Sequence, residues 1–402
     1  MSRPRPINLI VLIDALGWRY LENQSFLQNW LPYRRPLRTV LGFSSGAIPT
    51  ILTGLPPATT GHWNLFYYDP RNSPFQWMKY FQFLPQWVTD HRVTRRLVTE
   101  IGRRFLGMGT GFECCVSPRL LPWFNWVEKK NIYDRGGISG APSIFDRLAG
   151  EGISFRAYSY HDSSDAEIFQ RVEFDLENSD ATFFFIYLCE MDMLLHLHCH
   201  EPAAIKEKLD WYERNLQTLF ERARYLDPEA TLTLISDHGM TPVRNHYDLL
   251  GQLEPLELRM PEDYLAVFDS TMARFWFFND RARQAVTNAF EGLPCGRWLT
   301  DEELTSAGVF FSDRRFGEQI FLLHPGWLLS RSDFNGAAWM PAGMHGYHPD
   351  DPYSDAIFLT SHPPSFEVKS IADVYPHMRE AAQRSTIAKK GELACVAVGV
   401  HP

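Results

Sequence analysis

The stretch Leu232-Thr-Leu-Ile-Ser-Asp-His-Gly-Met240 decides how this chain is read. A short apolar run, Leu232–Ile235, ends in Asp237 and His238, two side chains able to bind a metal ion, and then in a glycine. Two other stretches have the same shape. Ile7–Ile13 leads to Asp14, and Thr182–Leu188 leads to Glu190 and Asp192. None shows clean alternation of apolar and polar residues, so each reads as a strand buried on both faces. Helical patterns lie between them, such as Ala141–Glu151 with Ile144, Leu148 and Ala149 at helical spacing. The alternation predicts an α/β fold, a doubly wound and mostly parallel sheet with helices on both faces. Ligands of such sheets sit beyond the carboxyl ends of the strands. The acidic and imidazole residues fall there.

Two segments break the alternation. About 67–126 is rich in aromatics (Phe75, Trp77, Tyr80, Phe81, Phe83, Trp87, Trp123, Phe124, Trp126) and reads as an elaboration, mostly of core, with a substrate wall or contact with a membrane surface as other uses. Residues 248–340 read as an inserted cap, leaving 1–247 and 341–402 as the catalytic core. The remaining composition bounds the function. The 402 residues are 45% hydrophobic and 22% charged, as in a globular protein. A formal charge of -9 gives no basic excess for nucleic acid. The arginines at 92, 95, 96, 103 and 104 read as solvated helix faces or, less simply, as a holder for an anionic substrate. The six cysteines (114, 115, 189, 199, 295, 395) form no CxxC pair, and reduced thiols are expected. Ile7–Ile13 is too short to span a membrane and lacks a small-residue cleavage site, so a cytoplasmic location is expected. Oligomeric state is not legible.

The chemistry-bearing candidates are Asp14, Asp192, His196, Asp237, His238 and His345. Carboxylate oxygen with imidazole nitrogen suits zinc or a similar ion. Asp192 and His196 are four apart, so on a helix they share one face and can grip one ion. Each also has an ordinary explanation. Asp14 alone is a turn or cap residue, and His196, His198 and His200 alternate as a strand-borne or exposed cluster would. The joint pattern carries the weight.

In order along the chain, that pattern resembles the alkaline phosphatase superfamily, and most closely its type I phosphodiesterase/nucleotide pyrophosphatase branch. Ile10-Val-Leu-Ile-Asp14-Ala-Leu-Gly17 is similar to the first strand with its metal-binding Asp. Ser44-Ser-Gly-Ala-Ile-Pro-Thr-Ile-Leu-Thr53-Gly54 matches the nucleophile segment, in a register that selects Ser44 over Ser45. Thr53–Gly61 followed by Asn64 and Tyr68-Asp69-Pro70 is similar to the loop after the nucleophile helix. Glu190-Met-Asp192 with His196, Ser236–Met240 and Met344-His345-Gly-Tyr347 resemble the remaining metal motifs. Asp355–Phe358 resembles a closing strand, and Ile371–Pro376 the C-terminal segment. The sequence departs from the branch in having Ser where Thr is usual, and in the displacement of a Pro to Pro49.

The resemblance implies two divalent metal ions, zinc fitting best and manganese also acceptable. Asp14, Asp237 and His238 would hold one, and Asp192, His196 and His345 the other. Ser44 would be a metal-bound nucleophile forming a phosphoserine, and Asn64 a donor to a phosphoryl oxygen. The implied activity is hydrolysis of a small phosphate ester, most simply a diester. A sulfatase would need Pro and Arg where Gly46 and Ile48 stand. A phosphomutase or phosphotransferase acting on a phosphosugar is the main enzymatic alternative, a phosphonate hydrolase fits the same metals, and a catalytically silent metal-binding protein is the alternative outside enzymes.

Overall fold

A computed structural model describes residues 5–81, 84–108, 114, 116–159, 163–333 and 340–384. Phe83, Cys115 and Cys395 therefore lie outside the described residues. The three apolar runs become adjacent strands at the centre of a six-stranded sheet. Its strands are β1 (Asn8–Ile13), β2 (Tyr33–Leu37), β3 (Phe155–Tyr158), β4 (Phe183–Leu188), β5 (Thr231–Ile235) and β6 (Ala356–Thr360). The spatial order is β2-β6-β5-β1-β4-β3. β1 pairs in parallel with β4, Ile13 opposite Leu188, and with β5, Leu12 opposite Ile235. β3 adds in parallel to β4, whereas β6 runs antiparallel to both β5 and β2.

Burial on both faces explains the missing alternation. Leu9, Val11 and Ile13 of β1 enter one core with Ile168 and Val172 of the helix Asp165–Asn178 and Leu209 and Leu216 of the helix Pro202–Leu226. Ile10 and Leu12 enter the other, with Ala47 and Ile51 of the helix Ser44–Thr53 and Phe145 and Leu148 of the helix Ile144–Gly150. Each aliphatic side chain buried this way contributes about 1.5–3 kcal/mol, and the one polar residue of β1, Asn8 at its start, is buried with its side-chain amide donating to Thr182 O at 3.2 Å. Ser143 starts the helix Ile144–Gly150 through a capping box with Asp146, which places its first turn three residues inside the sequence-predicted span. His196 and His198 lie on the helix Glu190–His198, not on a strand: the carboxylates in its first turn and the stretch Met191–Leu195 favour helix over alternation.

A second, four-stranded antiparallel sheet, in the order Tyr264–Asp269, Met272–Phe277, Gln319–Leu323, Gly296–Trp298, lies inside 248–340. It is buried on both faces too. Ala266, Phe268, Phe275 and Phe277 fill one side, while Leu265, Val267 and Trp276 pack against Phe66, Phe75, Phe124 and Trp126 of the aromatic-rich segment. The segment is thus partly core, but Tyr80 and Trp87 stay 80% and 77% exposed.

One buried ion pair fastens these parts. Arg274, fully buried, donates from Nε to Asp269 Oδ2 at 2.6 Å and from Nη1 to the carbonyls of Phe66 at 3.1 Å and Phe316 at 3.3 Å. Replacing only one partner strands the other charge away from water. Arg274→Met is expected to lower unfolding stability by about 3–5 kcal/mol, read as a lower denaturant midpoint. A midpoint equal to wild type would remove the pair from the forces holding the second sheet to the backbone at Phe66.

Candidate active site

The parallel register delivers Asp14, the Glu190–His198 helix and Asp237 at one end of three neighbouring strands. Asp14 follows β1 directly, and its N–H donates to Leu188 O of β4 at 2.9 Å. The β1 and β5 exits are pressed together by two glycines. A Cβ on Gly239 would stand 2.1 Å from Tyr353 O and 3.0 Å from Gly17 Cα, and one on Gly17 would stand 2.8 Å from Gly239 Cα. No side chain fits between these backbones, so Asp14 and Asp237 are forced into one pocket.

There the candidates form two groups of three. One donor atom from each of Asp14, Asp237 and His238 lies within 4.8 Å of the others, and the same holds for Asp192, His196 and His345. The groups adjoin: the His238 and His345 rings stack with centroids 3.9 Å apart at 17°. Asp14, Asp237 and His238 are buried, whereas Ser44, Asp192 and His345 are partly exposed, so the second group and the serine face the open side.

Main-chain carbonyls set the imidazole tautomers. His196 Nδ1 is 2.8 Å from Gly343 O and His238 Nδ1 is 2.9 Å from Gly239 O, so each Nδ1 donates and each Nε2 is left with its lone pair directed at the carboxylates. His238 Nε2 lies 3.2 Å from Asp237 Oδ2 and 3.7 Å from Asp14 Oδ1, and His196 Nε2 lies 3.3 Å from Asp192 Oδ1. Yet Asp14 Oδ1, Asp192 Oδ1 and Asp237 Oδ2 are buried without a hydrogen-bond partner. Burial and the neighbouring Asp237 and Asp192 carboxylates push the Asp14 carboxyl well above its ordinary range, with the Tyr187 hydroxyl opposing. Burial also pushes Asp192 up, but His196, His345 and His238 hold it below the usual carboxylate range. Burial and His238 hold His345 well below the usual imidazole range. Orphaned carboxylate oxygens crowded against Nε2 lone pairs fit divalent cations, which supply the missing partner to every one of them.

Ser44 opens its helix at the edge of this pocket, with Oγ 3.0 Å from His238 Nε2. Ser45 is turned away and donates to Trp63 O at 3.0 Å. That bond, with Gly46 lying against Trp63, seats the Trp63–Asn64 turn on the start of the serine helix. Buried Asn64 accepts from Leu65 N–H through Oδ1 at 2.8 Å, which commits its oxygen and leaves the Nδ2 hydrogens available to a ligand. His198 and His200, the other alternating histidines, take no part: His198 pairs with Glu201 and His200 reaches Val243 O.

Several residues around the pocket were not legible in the sequence. Tyr187 donates to Asp14 Oδ2, and Thr39 Oγ1 donates to Asp237 O at 2.6 Å. Asp165 accepts from Cys189 N–H at 2.9 Å and Glu190 N–H at 3.3 Å, fixing the start of the helix that carries Asp192 and His196. Thr271, in the turn of the second sheet, donates to His345 O at 3.3 Å and Gly346 O at 3.1 Å. Each touches its partner across a long stretch of chain, so no local spacing marks it.

This arrangement, together with the fold, defines a phosphoric ester hydrolase of the alkaline phosphatase superfamily. More narrowly, the chain belongs to the type I phosphodiesterase/nucleotide pyrophosphatase family, whose model matches residues 8–348. Among solved structures it is similar to human ectonucleotide pyrophosphatase/phosphodiesterase 5, with TM-score 0.67 and 14% identity over 94% of this chain and 95% of that one. The murine counterpart gives TM-score 0.65 at 15% identity, again over 94% and 95% of the two chains. An inactive form of the murine protein in complex with AMP gives 0.65 at 16% identity with the same coverage. No curated protein sequence matches the chain significantly.

Gly239→Ala should test the backbone contact that joins the two strand exits. The added methyl meets a carbonyl oxygen that cannot rotate away, so a loss of about 2 kcal/mol or more is expected, with activity falling further than stability. An alanine variant with wild-type melting temperature and turnover would show that the two exits can separate without harm.

Proposed function

We propose that the chain is a two-metal phosphodiesterase of nucleotide pyrophosphatase type that works through a phosphoserine on Ser44. The observation that carries this reading is the Ser44 hydroxyl, 3.0 Å from His238 Nε2, at a helix N-terminus beside two triads of metal-competent donors. Asp14, Asp237 and His238 would hold one divalent cation, and Asp192, His196 and His345 the other, with Ser44 reaching the pair. Bound there, the ions supply positive charge to the non-bridging phosphoryl oxygens and favour the ionised serine. The imidazoles and carboxylates suit zinc best, and manganese accepts the same set.

In this reading Ser44, its hydroxyl proton given up to solvent, forms an Oγ–P bond as the opposite ester P–O bond breaks, and the leaving oxygen departs with the electron pair and takes up a proton from water. Water then cleaves the phosphoserine, releasing phosphate or a monoester and restoring the hydroxyl. Asn64 Nδ2 donates to a non-bridging oxygen, and the N-terminus of the ten-residue serine helix favours the same negative charge. The AMP held by the murine relative supports a small nucleotide-type substrate. Residues 248–340 act as a cap on the core formed by 1–247 and 341–402, and Thr271 is where that cap grips the backbone at His345. A cytoplasmic location remains part of the proposal, and cell fractionation tests it.

Hydrolysis of bis-p-nitrophenyl phosphate and p-nitrophenyl phosphate, each with zinc, with manganese and with chelator, tests the chemistry. Metal-dependent turnover favouring the diester is expected. Preference for the monoester would instead point to a phosphatase or phosphotransferase. Ser44→Ala should lower turnover by about a thousandfold or more while binding the same metal, and mass spectrometry of the quenched wild-type reaction should find phosphate on Ser44. An active Ser44→Ala variant would overturn the nucleophile.

A further inference from the structure

The aromatic-rich segment has a second face that neither the core nor the pocket uses. Its inner side is anchored: Phe75 and Met78 are buried with Val98 of the helix Arg92–Phe105, and Arg95 of that helix donates to Asp333 O at 3.1 Å. Its outer side is not. Tyr80, Trp87, Val93, Leu97 and Phe105 are 80%, 77%, 68%, 58% and 78% exposed. Val93 and Leu97 stand one helical turn apart, and an exposed apolar patch on a folded surface marks an interaction site.

Charge says what kind. The helix Arg92–Phe105 carries five arginines and one glutamate, in a chain of formal charge -9. Helical spacing sets Arg92, Arg96 and Arg103 along one line of its outward face and Val93, Leu97 and Arg104 along the neighbouring line. Arg104 pairs with Glu100 at 3.1 Å, whereas Arg92 and Arg96 make no ion pair among the described residues. Cationic and apolar side chains are therefore mixed on one face of the helix, and Trp87 and Tyr80, exposed in the same segment, suit a boundary between water and hydrocarbon.

We propose that this face docks the protein on an anionic lipid bilayer. The arginines meet the lipid phosphates, and the exposed aromatic and aliphatic side chains enter the boundary between headgroups and acyl chains. The acidic remainder of the chain is repelled by the same surface, so one orientation is selected. No helix of the described residues is long and apolar enough to cross a membrane. The inference stands on the exposed face alone and is independent of the chemistry at Ser44.

Flotation of the full chain with phosphatidylglycerol-containing vesicles, against pure phosphatidylcholine vesicles, tests it. Wild type should float only with the anionic vesicles, and high salt should release it. A variant combining Arg92→Glu, Arg96→Glu and Arg103→Glu, and a second combining Trp87→Ser with Phe105→Ser, should each lose vesicle affinity by about tenfold or more. Both should hydrolyse a soluble diester as wild type does, which reports an intact fold. Wild type left unbound by anionic vesicles, or variants that float like wild type, would overturn the proposal. So would a wild-type dimer in light scattering that becomes monomeric on Trp87→Ser with Phe105→Ser and ignores vesicles, since the face would then join two copies of the chain.

Discussion

Three carboxylates, Asp14, Asp192 and Asp237, are held together where solvent screens them poorly, and the architecture is organised around that repulsion. Burial first, and then the neighbouring like charges, raise the energy of an ionised carboxylate here, as the upward displacement of Asp14 records. Such a pocket persists only if the backbone gives the side chains no retreat. The central strands supply that rigidity. β1 is hydrogen-bonded on both edges and buried on both faces, so Asp14 cannot move without disturbing β4 and β5. The contact between Gly17 and Gly239 then fixes the separation of two of the carboxylates. Imidazoles oriented by Gly343 and Gly239 carbonyls complete a donor set that is stabilised by bound cations.

The donors come from very different stability environments. Asp14 and Asp237 rise from the sheet core, but Asp192 and His196 depend on a short helix whose first N–H groups are held by Asp165, itself bonded to the Tyr212 hydroxyl and 4.0 Å from Lys208. His345 depends on a segment outside regular structure. Its ring packs on Phe43 and His238, and its backbone is held by Thr271 from the second sheet. Gly346 makes that grip possible, since a Cβ there would come within 2.7 Å of the Phe43 ring and 2.8 Å of Thr271 Oγ1. The second sheet is therefore joined to the pocket mechanically, through Thr271 at the site and Arg274 beneath it.

The aromatic-rich segment shows how composition can mix two roles. Its abundance of rings reads as core, and Phe75, Phe124 and Trp126 are core. Spacing within the segment does not separate these from Tyr80 and Trp87, because the distinction lies in which side meets the second sheet, a surface nearly two hundred residues further along the chain. The same limit applies to the arginines. Arg95 turns inward to the Asp333 carbonyl while Arg96 turns outward, adjacent residues with opposite surroundings.

Local chemistry by itself determined the strands, their parallel character and the residues that meet at their ends. Long apolar runs closing on Asp14, Asp192 and Asp237–His238 can satisfy both burial and polarity in few ways, and a doubly wound sheet is one of them. The resemblance of the Ser44–Gly54 segment to the family's nucleophile segment also selected Ser44 over Ser45 as the candidate nucleophile, through its register with Thr53 and Gly54. Only the tertiary structure decided that Ser44 faces His238 while Ser45 is tied to Trp63, that β6 runs against its neighbours, and that Tyr187, Asp165 and Thr271 support the pocket. These are contacts between segments far apart in the chain. Their geometry follows from how two sheets and their helices pack, which no window of neighbouring residues contains.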